Sequence, residues 1–108
     1  MQQSSLLSLK TNISEIDSQT AIDKINKTKI YDYQYKRDLE RGSNKHYASY
    51  IIDDVNDVTE YSVADEFLSE DRKGRDDGSQ LAYLTVMVQE MYKTIQQQNE
   101  EINKLKNK

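Results

Sequence analysis

"LAYLTVMVQEMYKTIQQQNEEINKL", residues 81–105, decides the architecture. Its apolar residues fall at Leu81, Leu84, Val88, Met91, Ile95, Ile102 and Leu105, and Gln98 occupies the one missing place in the series. The steps alternate three and four without a slip, which is a heptad seam on one continuous helix. Taking Leu81 as an a position puts Leu81, Val88, Ile95 and Ile102 in the a layer. The d layer is then Leu84, Met91, Gln98 and Leu105. So narrow a stripe cannot bury itself, and no other segment is long enough to cover it from the same chain. The spacing therefore predicts that copies of the chain associate. β-branched residues at a with Leu at d favour two strands, but Met91 and Gln98 at d weaken that preference. Periodicity alone leaves two strands against three open. A buried Gln98 layer would fix register at some cost in stability.

The rest of the chain is too polar for a large core. Mean hydropathy is −0.95 and charged residues make up 31% of the 108 positions, so a single domain that leans on assembly is expected. A net charge of −4 without clustered Lys or Arg argues against nucleic acid as a partner. The absence of cysteine excludes disulfides and thiolate metal sites, and one histidine, His46, is too few for a histidine metal centre. No run approaches the ~20 apolar residues of a membrane span. No metal or cofactor is expected, and no membrane partner.

Ahead of the helix the pattern predicts small strands and short helices. "SLKTNI", residues 8–13, alternates and reads as a strand. Asp17 or Ser18 caps a helix with Ala21, Ile22 and Ile25 on one face. Tyr31, Tyr33 and Tyr35 alternate with polar residues and predict a strand with one aromatic face. "RGSNK" is a loop. "KHYASYIIDDVND", residues 45–57, places Tyr47, Tyr50, Ile51 and Val55 near helical spacing and predicts a short helix. "VTEYSV", residues 58–63, reads as a further strand. "SEDRKGRDDGS", residues 69–79, reads as an exposed loop or hairpin tip. The fold class is thus α+β. Its parts are a leading stub at 1–4, a body at 5–79 and a coiled-coil helix at 80–108.

Few groups carry chemistry. Asp53, Asp54 and Asp57 lack the glycine and glutamate spacing of a calcium loop, so a solvated segment is the plainer reading. Gly74 and Gly78 are not followed by the lysine of a phosphate loop. The Tyr31–Tyr33–Tyr35 stripe suits a core or a subunit interface, and sugar stacking is the sharper alternative. His46 reads as a surface or capping residue. Ser5 and Lys10 pose the real choice. A desolvated lysine becomes a base able to take a serine proton. Five residues apart, however, they point to opposite faces of a strand, or about 140° apart on a helix. The pair works only if the chain bends between Ser5 and Ser8, or if Lys10 reaches a neighbouring copy.

Four stretches, in order, resemble the peptidase S74 family, the C-terminal intramolecular chaperones of phage tail spikes, endosialidases and neck appendages. "SLLSLKTNI", residues 5–13, is similar to the family's opening at Ser5, Leu9, Lys10, Asn12 and Ile13. Leu6 stands where an acidic residue is usual, and Ser8 where a charged one is common. The tyrosine strand, "KHYASYIIDDV" and "DGSQLAYLTVMVQEMYKTI" resemble the family's aromatic strand, central helix and closing helix in turn.

The resemblance implies a homotrimer, and Ser5 and Lys10 as a self-cleavage dyad. It places the scissile bond beside Ser5, between Ser4 and Ser5. It implies an upstream β-rich fibre in the same polypeptide, gripped in part by Tyr31, Tyr33 and Tyr35. Action in the host cytoplasm during virion assembly follows, with release from the finished fibre. The alternatives are a trimerisation cap that never cleaves, and a glycan-binding module using the tyrosines.

Overall fold

The computed structural model describes residues 4–108; of the expected stub, only Ser4 falls among them. Asp17 starts the first helix, α1 (Ser18–Lys27), by accepting a hydrogen bond from the Thr20 backbone N–H at 3.0 Å. Strand β1 (Tyr31–Tyr33) follows, then the five-residue helix α2 (Lys36–Glu40), then strand β2 (Tyr47–Ser49). A single turn of 3₁₀ helix at Asp65–Phe67 leads to the long helix α3, Asp77–Lys106. None of these helices is long and apolar enough to cross a membrane.

Three expectations are corrected. Residues 45–57 do not form a helix. Tyr47–Ser49 pairs antiparallel with β1 in the register Tyr31↔Ser49, Asp32↔Ala48 and Tyr33↔Tyr47. Pairing places Tyr47 against Tyr33, a packing gain that local helical spacing cannot offer. Downstream, Asp53 Oδ1 accepts from the backbone N–H groups of Val55 and Asn56, both at 2.9 Å, which makes a turn there. Second, residues 8–13 are not a strand. Leu7–Leu9 is one turn of 3₁₀ helix, since no neighbouring strand offers a ladder to an alternating segment. Third, residues 58–63 form no strand. Ser62 accepts one backbone bond, from Lys29 N–H at 2.9 Å, and no ladder continues from it. The tyrosine strand also stops early: Tyr35 lies beyond β1 and precedes α2, which ends before Gly42 at φ +83°, a left-handed turn that suits glycine.

The core is small. Tyr50, Ala64 and Phe67 are buried together, with Ile25, Val63, Leu68 and Tyr83 packed around them. Phe67 meets Tyr83 of α3 edge to face at 5.4 Å between centroids, and the Tyr50 hydroxyl donates to the Phe67 carbonyl at 2.6 Å. Burial pushes the Tyr50 hydroxyl pKa above its usual value, with Asp77 adding to the shift. Buried Thr28 ties α1 to the same segment: its hydroxyl donates to the Lys24 carbonyl at 2.9 Å and accepts from Ala64 N–H at 3.0 Å.

Residues 69–75 are a hairpin tip, closed by a Leu68↔Arg75 bridge and a Ser69 N–H to Gly74 carbonyl bond of 2.8 Å. Helix α3 begins at Asp77, where Asp76 caps it by accepting from Ser79 N–H at 3.0 Å. This donor holds the Asp76 carboxyl below the ordinary carboxylate range.

Candidate site at the leading edge and the open face of the long helix

The bend that a Ser5–Lys10 pair requires is present. Leu9 N–H donates to the Leu6 carbonyl and Lys10 N–H to the Leu7 carbonyl, both at 3.1 Å, so the chain turns back on itself between the two residues. Lys10 Nζ then donates to Ser5 Oγ at 3.0 Å within one chain. One residue earlier, Leu6 N–H donates to Ser4 Oγ at 3.3 Å, which draws the Ser4–Ser5 peptide into the same tight turn. Asn12, at φ +53°, turns the chain again before it reaches α1. Among the described residues no carboxylate forms an ion pair with Lys10. Both members of the pair are exposed.

Helix α3 has two faces. Tyr83, Val86, Met87 and Glu90 are half-buried on the side that meets the body, where α1 and the Asp65–Phe67 turn pack. The heptad seam lies roughly a third of the way round the helix from this face. Leu81, Leu84, Val88, Met91, Ile95, Ile102 and Leu105 stand 40–66% exposed there, and Gln98 is exposed among them. A heptad seam left bare by its own chain is the pattern that a second helix of the same kind fills.

The predicted tyrosine stripe divides. Tyr31 packs edge to face on Tyr61 at 5.2 Å. Tyr33 and Tyr35 join Tyr47, at centroid separations of 5.3, 5.8 and 5.0 Å around the triangle. The Tyr33 and Tyr35 hydroxyls lie 3.3 Å apart, and that bond raises the Tyr33 pKa. Lys45 Nζ stands 4.8 Å from the Tyr47 centroid. On the opposite face of the hairpin, His46 Nδ1 meets Asp32 Oδ2 at 2.7 Å. Sequence reasoning missed Tyr47 and Tyr61 as members of this surface. The signal was the cross-strand pairing, which a helical reading of residues 45–57 conceals.

Together these features define a class: a small α+β body that ends in a long helix with a bare apolar seam and carries a serine–lysine pair at its leading edge. The family model of Peptidase S74, described as chaperone of endosialidase, matches residues 7–65, more than half of the chain. The chain belongs to this family. The matched span contains Lys10 and the tyrosine hairpin, begins after Ser5 and ends before α3. No curated protein and no solved structure matches the chain.

Proposed function

We propose that this domain is a self-cleaving intramolecular chaperone that trimerises an upstream phage fibre or tail spike. Membership of the chaperone family supports the folding role. The observation that carries the cleavage reading is the 3.0 Å contact between Lys10 Nζ and Ser5 Oγ across a bend. The bare seam of α3 supports association, with Gln98 as the register-setting layer. Interwound β-structure pairs distant segments and folds slowly. Three chains held at one end search for register at high effective concentration. The fibre partner is contacted by the aromatic hairpin face, from Tyr31 to Tyr35. Assembly takes place in the host cytoplasm.

The chemistry follows from atoms at the leading edge. Ser5 Oγ attacks the carbonyl carbon of Ser4 while Lys10, as the neutral amine, takes the hydroxyl proton. The tetrahedral intermediate expels the Ser5 nitrogen, which receives that proton. This leaves Ser4 esterified to the Ser5 side chain. Water then hydrolyses the ester, giving a carboxylate at Ser4 and a free hydroxyl and amino terminus at Ser5. The released chaperone leaves a fibre that is trapped kinetically in its folded form.

The test is a polypeptide carrying a fibre segment ahead of this chain, run on a denaturing gel after refolding. The parent is expected to split in two, with Ser5→Ala and Lys10→Ala intact. A parent that stays whole, or a Ser5→Ala variant that still splits at the same bond, overturns the cleavage reading. A whole parent would instead be a trimerisation cap retained on its fibre.

A further inference from the structure

We infer that Ser4 is a positioning residue for the cleavage step: its hydroxyl sets the backbone rotation that brings Ser5 Oγ onto the scissile carbonyl. This role rests on the cleavage reading above and adds which side chains are accepted on the acyl side of the bond.

Attack of Ser5 Oγ on the Ser4 carbonyl carbon closes a small ring through the nitrogen, Cα and Cβ of Ser5. The peptide bond in that ring is planar, so only the rotations about N–Cα and Cα–Cβ of Ser5 bring its ends together. The structure restrains each with a separate hydrogen bond. Lys10 Nζ holds Ser5 Oγ at 3.0 Å, which fixes the rotation about Cα–Cβ. The bond from Leu6 N–H to Ser4 Oγ, 3.3 Å long, spans Ser5 and so restrains the rotation about N–Cα.

Little else along this edge does so. Residues 4–10 are all exposed, and among the described residues the Leu7–Leu9 turn packs against no other element. The bonds from Leu9 N–H to the Leu6 carbonyl and from Lys10 N–H to the Leu7 carbonyl lie downstream of Ser5 and leave its N–Cα rotation open. Without Ser4 Oγ, the scissile peptide would turn in water past a Ser5 hydroxyl that Lys10 still holds. Attack needs the reacting atoms close and aligned, and losing that alignment lowers the rate even when every reacting group is present.

The acceptable side chains follow from the bond. A short acceptor must reach the N–H two residues on, as the hydroxyls of Ser and Thr and the amide of Asn do. Alanine offers no acceptor, and valine has the shape of threonine without its hydroxyl.

The test uses the fibre-bearing polypeptide, with the rate of splitting followed from pH 6 to pH 10. Ser4→Ala and Ser4→Val are expected to split roughly tenfold more slowly than the parent, the effect of one exposed hydrogen bond on a rate. Ser4→Thr and Ser4→Asn should stay within about twofold of the parent. The pH of half-maximal rate should not move, because Lys10 is untouched, and sedimentation and the tyrosine near-ultraviolet signal should match the parent. Excess hydroxylamine takes the acyl group of the ester as a hydroxamate and frees the Ser5 hydroxyl. The Ser4→Ala deficit should persist in its presence, because it arises before the ester forms. Parental rates in Ser4→Ala or Ser4→Val overturn the inference. So do Ser4→Thr and Ser4→Asn as slow as Ser4→Ala, a displaced pH profile, or a deficit that hydroxylamine abolishes. These outcomes leave the Ser5–Lys10 reading standing. A parent chain whole at every pH removes that reading and this inference together.

Discussion

Among the described residues Phe67 is the one large side chain with no exposed surface, and replacing it with alanine should unfold the body while sparing α3. The ring fills the space between Tyr50 and Tyr83, with centroids 6.4 and 5.4 Å away. Phe→Ala in a packed core costs ~3–5 kcal/mol, part transfer and part cavity. Small domains hold only ~5–15 kcal/mol in total. Among the described residues four apolar ones are buried, Ala21, Tyr50, Ala64 and Phe67, so the body belongs at the low end of that range. The Tyr50 hydroxyl bond to the Phe67 carbonyl survives the substitution in principle, but the wall that desolvates it is gone. The chain has no tryptophan, so tyrosine near-ultraviolet dichroism reports the core. In Phe67→Ala that signal should vanish, or its urea midpoint should fall by the equivalent of ~3 kcal/mol or more. Far-ultraviolet helicity should persist, because the seam residues of α3 lie on another face. A variant within ~0.5 kcal/mol of the parent would refute the account of the core.

Acid should loosen the fold in a defined direction. Asp53, Asp65, Asp71 and Asp76 all have carboxyl pKa values lowered from the usual 3.8, by hydrogen bonds led by those from Asn56, Arg72, Ser69 and Ser79 N–H. A depressed folded pKa stabilises above the ordinary value and loses that contribution as pH falls through the folded value. Thermal midpoints should therefore be flat from pH 7 to 5 and decline below pH ~4, with a shallower decline in Asp76→Asn. Gln98→Leu should raise the thermal midpoint of the assembled chain and admit out-of-register pairing, read by disulfide trapping of cysteines placed at the helix end. Tyr35→Ala, half-exposed at the edge of the aromatic triangle, should leave the isolated domain within ~1 kcal/mol of the parent and lower the yield of correctly folded fibre. An unchanged yield would remove Tyr35 from the fibre-contact surface.

The parts legible from sequence were those set by local rules. The seam of α3 follows from spacing alone, and α1 from a cap at Asp17 or Ser18, of which the fold uses Asp17. The second face of α3, carrying Tyr83, Val86 and Met87, stayed hidden because it lies off the a and d positions and matters only once Phe67 is in place. Strand β2 was read as a helix because Tyr47, Tyr50 and Ile51 fall near helical spacing; the Tyr33↔Tyr47 register that overrides it is a tertiary fact. Helix α2 carries no side-chain cap and runs five residues, too short for a periodic signal. At the leading edge, residue types named Ser5 and Lys10, but not their meeting. That depends on the Leu7–Leu9 turn, where an alternating pattern suggested a strand.

The central claim is that three copies join along α3, and the mass of the chain in solution tests it most directly. Sedimentation equilibrium at micromolar concentration should return three times the 12.6 kDa of one chain, and Val88→Asp with Ile95→Asp should return one. A parent chain that sediments at 12.6 kDa would contradict the account.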